Sequence, residues 1–312
     1  MKSFKFLYLF VSLLLFSCQN KSKDNSTDTY TSGVISIAVD ESFQPIVQQE
    51  LDVFEAQFPQ AGIVPVYTNE VNAINLLLKD SVRFAIATRA LSPGEENYLI
   101  SKKFSPRSYK IATDGIALII NKQNPDSLIS VNNIRSILTG DIKNWNEIYP
   151  ASRLGKFIVV FDNPNSSTVR FAIDSICHGK ALSSGLKAQS TNQEVINYVS
   201  KTKNAIGIIG SNWLNNVKDT TNLSFNDQVR VMSVSAGSVA TVDNSYKPFQ
   251  AYLFYGYYPL SRNIFIILND PRGSLPSGLT SFFTSDRGQR IILKSGLVPA
   301  TQPVRIVNIK DQ

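Results

Sequence analysis

Short β-branched runs that alternate with apolar residues at helical spacing constrain this chain more than any other feature. Val34-Ile35-Ser36-Ile37-Ala38-Val39 reads as a strand, and Ile46, Val47, Leu51, Phe54 and Phe58 then recur on one helical face until Pro59 stops the pattern. The unit repeats. Ile63 to Tyr67 is a second strand with a helix over Ala73 to Leu78. Arg83 to Thr88 is a third, followed by the helix start Pro93-Gly94-Glu95-Glu96 with acid in its first turn. Further on, Gly115 to Asn121, Phe157 to Phe161, Ala205 to Gly210 and Ile264 to Leu268 read as strands. Val131 to Leu138 reads as a helix closed by Gly140, helical spacing resumes at Val169 and Phe171, and one last helix is expected from Gly278 to Ser295. Strand–helix units of this size predict an α/β fold with parallel sheets covered by helices on both faces. No internal repeat of fixed period is present.

The first residues are not part of that fold. Lys2 and Lys5 precede the apolar run Phe6 to Phe16, which has the length of a signal-peptide core and is too short to span a bilayer. It ends Leu15-Phe16-Ser17-Cys18, similar to a lipoprotein cleavage box, so residues 1–17 read as a lipoprotein signal peptide and Cys18 as the lipidated residue. Residues 18–32 are, after Cys18 and Gln19, Asn, Ser, Thr, Lys and Asp with Tyr30 as the one large apolar side chain, the composition of a flexible tether. The body is therefore expected on the extracytoplasmic side of a bacterial cell envelope, periplasmic or surface-facing, held to the membrane by lipid.

Composition narrows the function. The 312 residues hold one His and two Cys, too few for a His/Cys metal site or for a nucleophile paired with a base, so neither a metal, another cofactor nor catalysis is expected. Cys177 and His178 are adjacent, and neighbours on a helix point about 100° apart, so they read as a half-buried thiol and a surface imidazole. The 31 basic residues are scattered and the chain is exported, which argues against nucleic acid. Trp145 and Trp213 read as structural. Phe43 is open between packing a lobe and walling a cleft.

Parallel sheets bind ligands beyond the carboxyl ends of their strands, where helix starts offer free N–H groups. Three turns fit that position: Asp40-Glu41-Ser42, Thr88-Arg89 and Asn165-Ser166-Ser167-Thr168. Ordinary N-capping accounts for a hydroxyl run at any helix start. Arg89 and Arg170, each beside such a turn, shift the reading toward an anion.

The order of several segments resembles a known family. Asp114 to Asn121 is followed by Ile134-Arg135-Ser136-Ile137-Leu138-Thr139-Gly140 and Asn144-Trp145. Then come Ser166-Ser167-Thr168-Val169-Arg170-Phe171, Ala205 to Gly210, Tyr258-Pro259-Leu260-Ser261-Arg262, and Ser285-Asp286-Arg287-Gly288-Gln289 with Gly296 to Pro299. Together they are similar to the phosphate-type periplasmic binding proteins, the substrate-binding lipoproteins of phosphate ABC transporters. The resemblance implies a bilobal fold of the type II kind with two hinge crossings. Lobe 1 would be 33–113 plus 248–312 and lobe 2 would be 114–247, with the return crossing near Tyr246 to Pro259. It implies a monomer that binds phosphate or a similar oxyanion between the lobes and passes it to an ABC transporter permease. Glu41, Ser42, Thr88, Arg89, Ser166, Ser167, Thr168 and Arg170 would hold the ligand.

Three features depart from the family. The first turn, usually Gly-Ser/Thr-rich, is Asp40-Glu41-Ser42; Asp162 stands where an arginine is common, and Ser167 where a glycine is. Asp40, Asp114 and Asp162 are candidate proton acceptors, since a carboxylate can take the proton of monohydrogen phosphate that sulfate lacks. The same carboxylates, with Glu41, would repel a dianion. That leaves a second expectation: an envelope scaffold protein that keeps the fold without binding phosphate.

Overall fold

A computed structural model describes residues 28–304 apart from 217, 220 and 222. The basic start, the apolar run and Cys18 lie outside the described residues.

The first half follows the strand–helix rhythm of the sequence. Strand β1 (Gly33–Asp40) leads through a single turn of 3-10 helix into α1 (Gln44–Gln57), which buries Ile46, Val47, Leu51 and Phe54 and ends at Phe58, just before Pro59. Strand β2 (Ala61–Thr68), helix α2 (Glu70–Leu78, capped by Asn69), strand β3 (Phe84–Ala87) and helix α3 (Pro93–Ser101, with a Ser92–Glu95 capping box) complete this part. The pairs β1–β2 and β1–β3 are parallel. Strand β4 (Arg107–Ile120) is long enough to serve both halves of the molecule.

The second half contains β5 (Leu128–Ser130), α4 (Val131–Thr139), β6 (Ile158–Phe161) and the short α5 (Ser167–Phe171), which widens into a π turn over Ala172–Ile176. Strand β7 (Lys187–Ala188), helix α6 (Asn192–Lys201) and strand β8 (Ala205–Gly210) follow. Three small strands, β9 (Arg230–Val231), β10 (Ser233–Ser235) and β11 (Ser245–Tyr246), precede helix α7 (Gln250–Phe254). The chain then returns through β12 (Ser261–Leu268), α8 (Leu275–Thr284), α9 (Asp286–Lys294) and β13 (Val298–Pro299).

Instead of two separate parallel sheets, one mixed ten-stranded sheet runs in the order β2-β1-β3-β12-β4-β8-β6-β7, with β9 and β13 paired to β4. Strands β1, β2 and β3 run parallel, as do β6, β7 and β8, but β12 is antiparallel to β3 and β4, and β4 is antiparallel to β8. Strand β4 changes partners along its length: Arg107 to Gly115 lie against β12, and Ile116 to Ile120 against β8. This inversion points the carboxyl ends of β1 and β3 from one half, and of β6 and β8 from the other, at the same seam. The covering apolar residues divide accordingly. One pair of clusters is built around Phe54, Phe84 and Leu77, the other around Trp145, Phe161 and Val195.

Tyr258 Oη donates to the Ile116 carbonyl at 2.6 Å and the Ile116 N–H donates to Leu260 at 2.7 Å, which ties the returning chain to β4. Leu253, Tyr258 and Leu260 therefore pack with Trp145 in the second core, although motif order assigned residues from 248 onward to the first lobe. The two chain segments lie so close that a Cβ on Gly115 would stand 2.9 Å from Pro248 Cβ, which explains a glycine inside an apolar strand.

Other expectations also change. The helix expected over Gly278 to Ser295 is two helices, because Ser285 leaves helical geometry and caps the second by accepting from the Gly288 N–H. Cys177 is fully buried, not half-buried; the adjacent His178 has a left-handed φ of 53° and its ring meets Arg135. Trp145 is buried as expected. Residues 28–32, expected as the end of the tether, rest on the first half: Arg83 Nη2 donates to Asp28 at 2.6 Å and Tyr30 Oη lies 2.9 Å from Ser281 Oγ. Among the described residues no helix is long and apolar enough to cross a membrane.

Candidate functional site at the seam between the two cores

Strand ends place the polar groups. Asp40 closes β1, and its Oδ1 accepts from the Ser42 N–H at 3.0 Å, which turns the Ser42 side chain into the seam. Ser42 Oγ then lies 3.3 Å from Ser167 Oγ, the first residue of α5 on the other half. Beneath this pair is Arg262, from the second residue of β12. Its Nη1 donates to Ser167 Oγ at 2.7 Å, while Nε and Nη2 both reach Asp114 Oδ2. The guanidinium also lies over the Phe43 ring, 4.9 Å from its centre, so Phe43 both packs the first half and walls the seam. Asp114 is completed by Ser211 Oγ at 2.9 Å. The ion pair has side chains only 3% and 0% exposed. Asp114 is thus committed to Arg262, which removes it as a free proton acceptor.

A second cluster spans the same seam. Glu70, first residue of α2, accepts from the Thr88 N–H at 2.7 Å and the Thr88 hydroxyl at 2.6 Å. From the opposite half, Arg170 Nε donates to Glu70 Oε2 at 2.6 Å and its Nη2 to Thr88 Oγ1 at 2.5 Å. A carboxylate of the chain itself therefore occupies donors that the turn Thr88-Arg89 and Arg170 were expected to offer a ligand. Burial pushes the Glu70 carboxyl up, but the hydrogen bonds and charge of Arg170 outweigh it and the net displacement is downward. Arg89 turns away from the seam. Both its terminal nitrogens are held by Glu95, at 2.7 and 2.8 Å, as part of the α3 cap.

The third cluster is acidic. Asn192, at the start of α6, donates from Nδ2 to Glu41 Oε2 at 2.6 Å and to Asp162 Oδ2 at 3.2 Å. Asp162 Oδ1 accepts from Ser166 Oγ at 2.6 Å, and Ser166 in turn caps α5. Burial is the main cause that lifts Glu41 to about 7, with the neighbouring charges of Asp162 and Asp40 adding to it. Burial likewise lifts Asp40 to about 6, helped by Glu70 and opposed by Arg262. Asp162 is raised for the same first reason. Beside this cluster a cavity of about 250 Å³ opens between the halves, bounded by Asp40, Glu41, Asp162, Ser166 and Thr191 among others.

Of the sequence-predicted residues, Asp40, Glu41, Ser42, Thr88, Asp114, Asp162, Ser166, Ser167, Thr168 and Arg170 all reach this seam, and Arg89 does not. Thr168 is buried there with its hydroxyl unpartnered. Sequence reasoning passed over Arg262, Glu70, Asn192 and Asn212. Arg262 stood at the end of the Tyr258 to Arg262 segment, but nothing local marks it as the cation under two serines. Trp213, read as structural, spans the seam: its indole N–H and Asn212 Nδ2 both donate to the Ser42 carbonyl at 2.9 Å.

Two cores joined by shared strands, with hydroxyls, amides and a buried arginine meeting between them, give the molecule a bilobal layout with a polar seam. The sequence matches the PBP superfamily domain over residues 24–287, and the chain belongs to that family. It is similar to the phosphate-binding protein PstS of Staphylococcus aureus, 22% identical over 250 residues that cover 78% of this chain and 72% of that protein. Among solved structures it resembles a phosphate ABC transporter substrate-binding protein of Clostridium perfringens with bound phosphate. That match has a TM-score of 0.72 at 21% identity and covers 86% of this chain and all of the other. An ABC-type phosphate transport receptor of Vibrio cholerae matches with a TM-score of 0.64 at 18% identity, over 86% of this chain and 100% of that one. These likenesses establish the bilobal α/β fold.

Proposed function

We propose that this chain is an extracytoplasmic receptor that binds phosphate or a similar oxyanion between its lobes and delivers it to an ABC transporter. One observation carries the reading: Ser42 and Ser167, from opposite halves, meet directly over the buried guanidinium of Arg262. Hydroxyl donors backed by a fixed cation in a site that closes on itself suit an oxyanion, because closure removes water that would screen the charge. The names of the relatives point the same way. The role needs no covalent step, and the chain is read as having no chemistry of its own.

Lobe 1 is taken as 33–113 with the C-terminal part, and lobe 2 from 114. The change of partners along β4 supports that division, and the packing of Leu253 and Tyr258 favours a second crossing nearer Leu260 than Pro248. Ser42, Ser166, Ser167, Thr168 and Arg262 are the proposed ligand contacts. Lipidation at Cys18, a monomeric state and a permease partner belong to the same proposal; conversion of Cys18→Ala should release the protein from the membrane fraction.

The test is calorimetric titration of the body, residues 28–312, with phosphate and with sulfate. Micromolar or tighter binding of phosphate, weakened at least tenfold by Ser167→Ala and by Arg262→Gln, is the expected result. No heat from a protein that melts cooperatively would refute it.

A further inference from the structure

The cavity beside the serine pair has the wrong charge for an oxyanion alone. Three carboxylates bound it, from Asp40, Glu41 and Asp162, and neither a lysine nor an arginine is among the residues that line it. Glu41 and Asp162 approach closely enough to share one amide nitrogen of Asn192.

A second observation concerns the atoms left without partners. Asp40 lines the cavity, is 1% exposed, and its Oδ2 has no hydrogen bond. The buried Asn192 and Asn212 each leave Oδ1 unpartnered. Reversing either amide cannot help, because Asn192 Nδ2 faces two carboxylates and Asn212 Nδ2 faces the Ser42 carbonyl, all acceptors. The unmet groups around the seam are thus mostly acceptors, and buried acceptors call for a donor. Inorganic phosphate brings one or two protons, whereas a primary ammonium brings three and a positive charge. A divalent metal ion is a poorer fit, since no three acidic, His or Cys side chains among the described residues are grouped closely enough to hold one, whereas an ammonium hydrogen-bonds carboxylates spaced more widely around a cavity.

The geometry points to a zwitterionic ligand, a short aminoalkyl phosphate or phosphonate whose ammonium enters the cavity between Asp40, Glu41 and Asp162 while its oxyanion meets Ser42, Ser167 and Arg262. This rests on the oxyanion reading above and names the substrate class within it. The departures from the family pattern then have a purpose. The acidic first turn and Asp162 compensate a cation, while Arg262, fixed by Asp114, backs the Ser167 hydroxyl on the anion side. The volume of about 250 Å³ has room for an ethylammonium arm, and Ser166, which lines the cavity, adjoins Ser167 in the chain.

O-phosphoethanolamine and ethyl phosphate differ chiefly by that ammonium, so titrating both at pH 7.5, with inorganic phosphate and ethanolamine alongside, isolates its contribution. The expected result is at least tenfold tighter binding of O-phosphoethanolamine than of ethyl phosphate, with the gap narrowed by Glu41→Gln. Asp162→Asn serves as the second variant should the first fail to melt cooperatively. Equal binding of the two phosphoesters, or tighter binding of ethyl phosphate, overturns this inference and leaves the oxyanion reading standing. Ethanolamine binding as tightly as O-phosphoethanolamine also overturns it, since the anion would then contribute nothing. Failure of every phosphate compound to bind overturns both readings.

Discussion

Glu70 makes a sharp test of how the two halves are held together. Its side chain is 2% exposed and receives Arg170 from across the seam, while Arg170 is 33% exposed. A hydrogen bond to a charged group contributes about 1.5–3 kcal/mol net, and the solvent contact of Arg170 reduces that. Glu70→Gln keeps the shape and one acceptor oxygen but removes the charge. The closed arrangement should lose about 1–2 kcal/mol, which raises the ratio of open to closed about five- to thirtyfold.

Hydrogen exchange reads that ratio directly. The Asn192 N–H lies in lobe 2 and donates across the seam to Glu41 at 3.4 Å, whereas Ala117 to Ile120 pair with β8 and β9 inside lobe 2. In Glu70→Gln, exchange at Asn192 should accelerate about five- to thirtyfold while residues 117–120 keep their wild-type rates. Unchanged exchange at Asn192 would refute the latch. Equal acceleration at both places would refute it too, since that is a general loss of stability. The pH dependence has a definite sign. The Glu70 carboxyl lies below its ordinary value in the folded chain, so its contribution is complete above the ordinary glutamate pKa of about 4.3 and fades as the pH falls through the lower folded value.

Three further outcomes are expected. Glu50 is fully buried on α1 with neither carboxylate oxygen partnered, and burial pushes it to about 9, so folding stability should fall as pH rises from about 4.5 toward 9. Glu50→Leu should remove that slope and stabilise the protein by about 2 kcal/mol or more at pH 8, with little effect at pH 4, as read by urea denaturation. Gly207→Ala would bring a Cβ within 2.8 Å of Ile119 and Val195 and 2.9 Å of Val199, and should cost about 1–3 kcal/mol in the same measurement. Ser285→Ala removes the cap that separates α8 from α9 and should cost about 1 kcal/mol, visible as a lower Tm.

The strands and helices of the first half were legible because each is set by neighbours in sequence. The apolar positions of α1 recur at helical spacing, Pro59 stops it, and the Ser92–Glu95 pair marks the start of α3. The break at Ser285 had a signal that was passed over: Thr284 to Arg290 carry no apolar side chain between Phe283 and Ile291, and Ser285 before Asp286 is a helix start. Periodicity could not show that β12 inserts antiparallel between β3 and β4. A strand buried on both faces looks the same in either direction, so the merging of the two expected sheets into one had no local signal. Asp28 illustrates the same limit: its partner Arg83 is 55 residues away, and a polar segment that looked like free tether is pinned by it.

The site divides along the same line. Hydroxyls at strand-to-helix turns could be read directly, because Ser42 and Ser166–Thr168 sit where strands end and helices begin. Charge could not, because it is decided by pairing across the seam. Arg89, next to a promising turn, is drawn off by Glu95 six residues later, a pair visible in the sequence only as half of a helix cap. Arg262, late in the chain, arrives under Ser167 only because β12 crosses beside β4. Asp162 looked like a lost arginine and therefore like a damaged anion site. With Arg262, held by Asp114, backing Ser167 from another strand, the position is free to carry the opposite charge. The acidic residues around the cavity are then compatible with an anion held a few atoms away, provided that the ligand itself carries both signs.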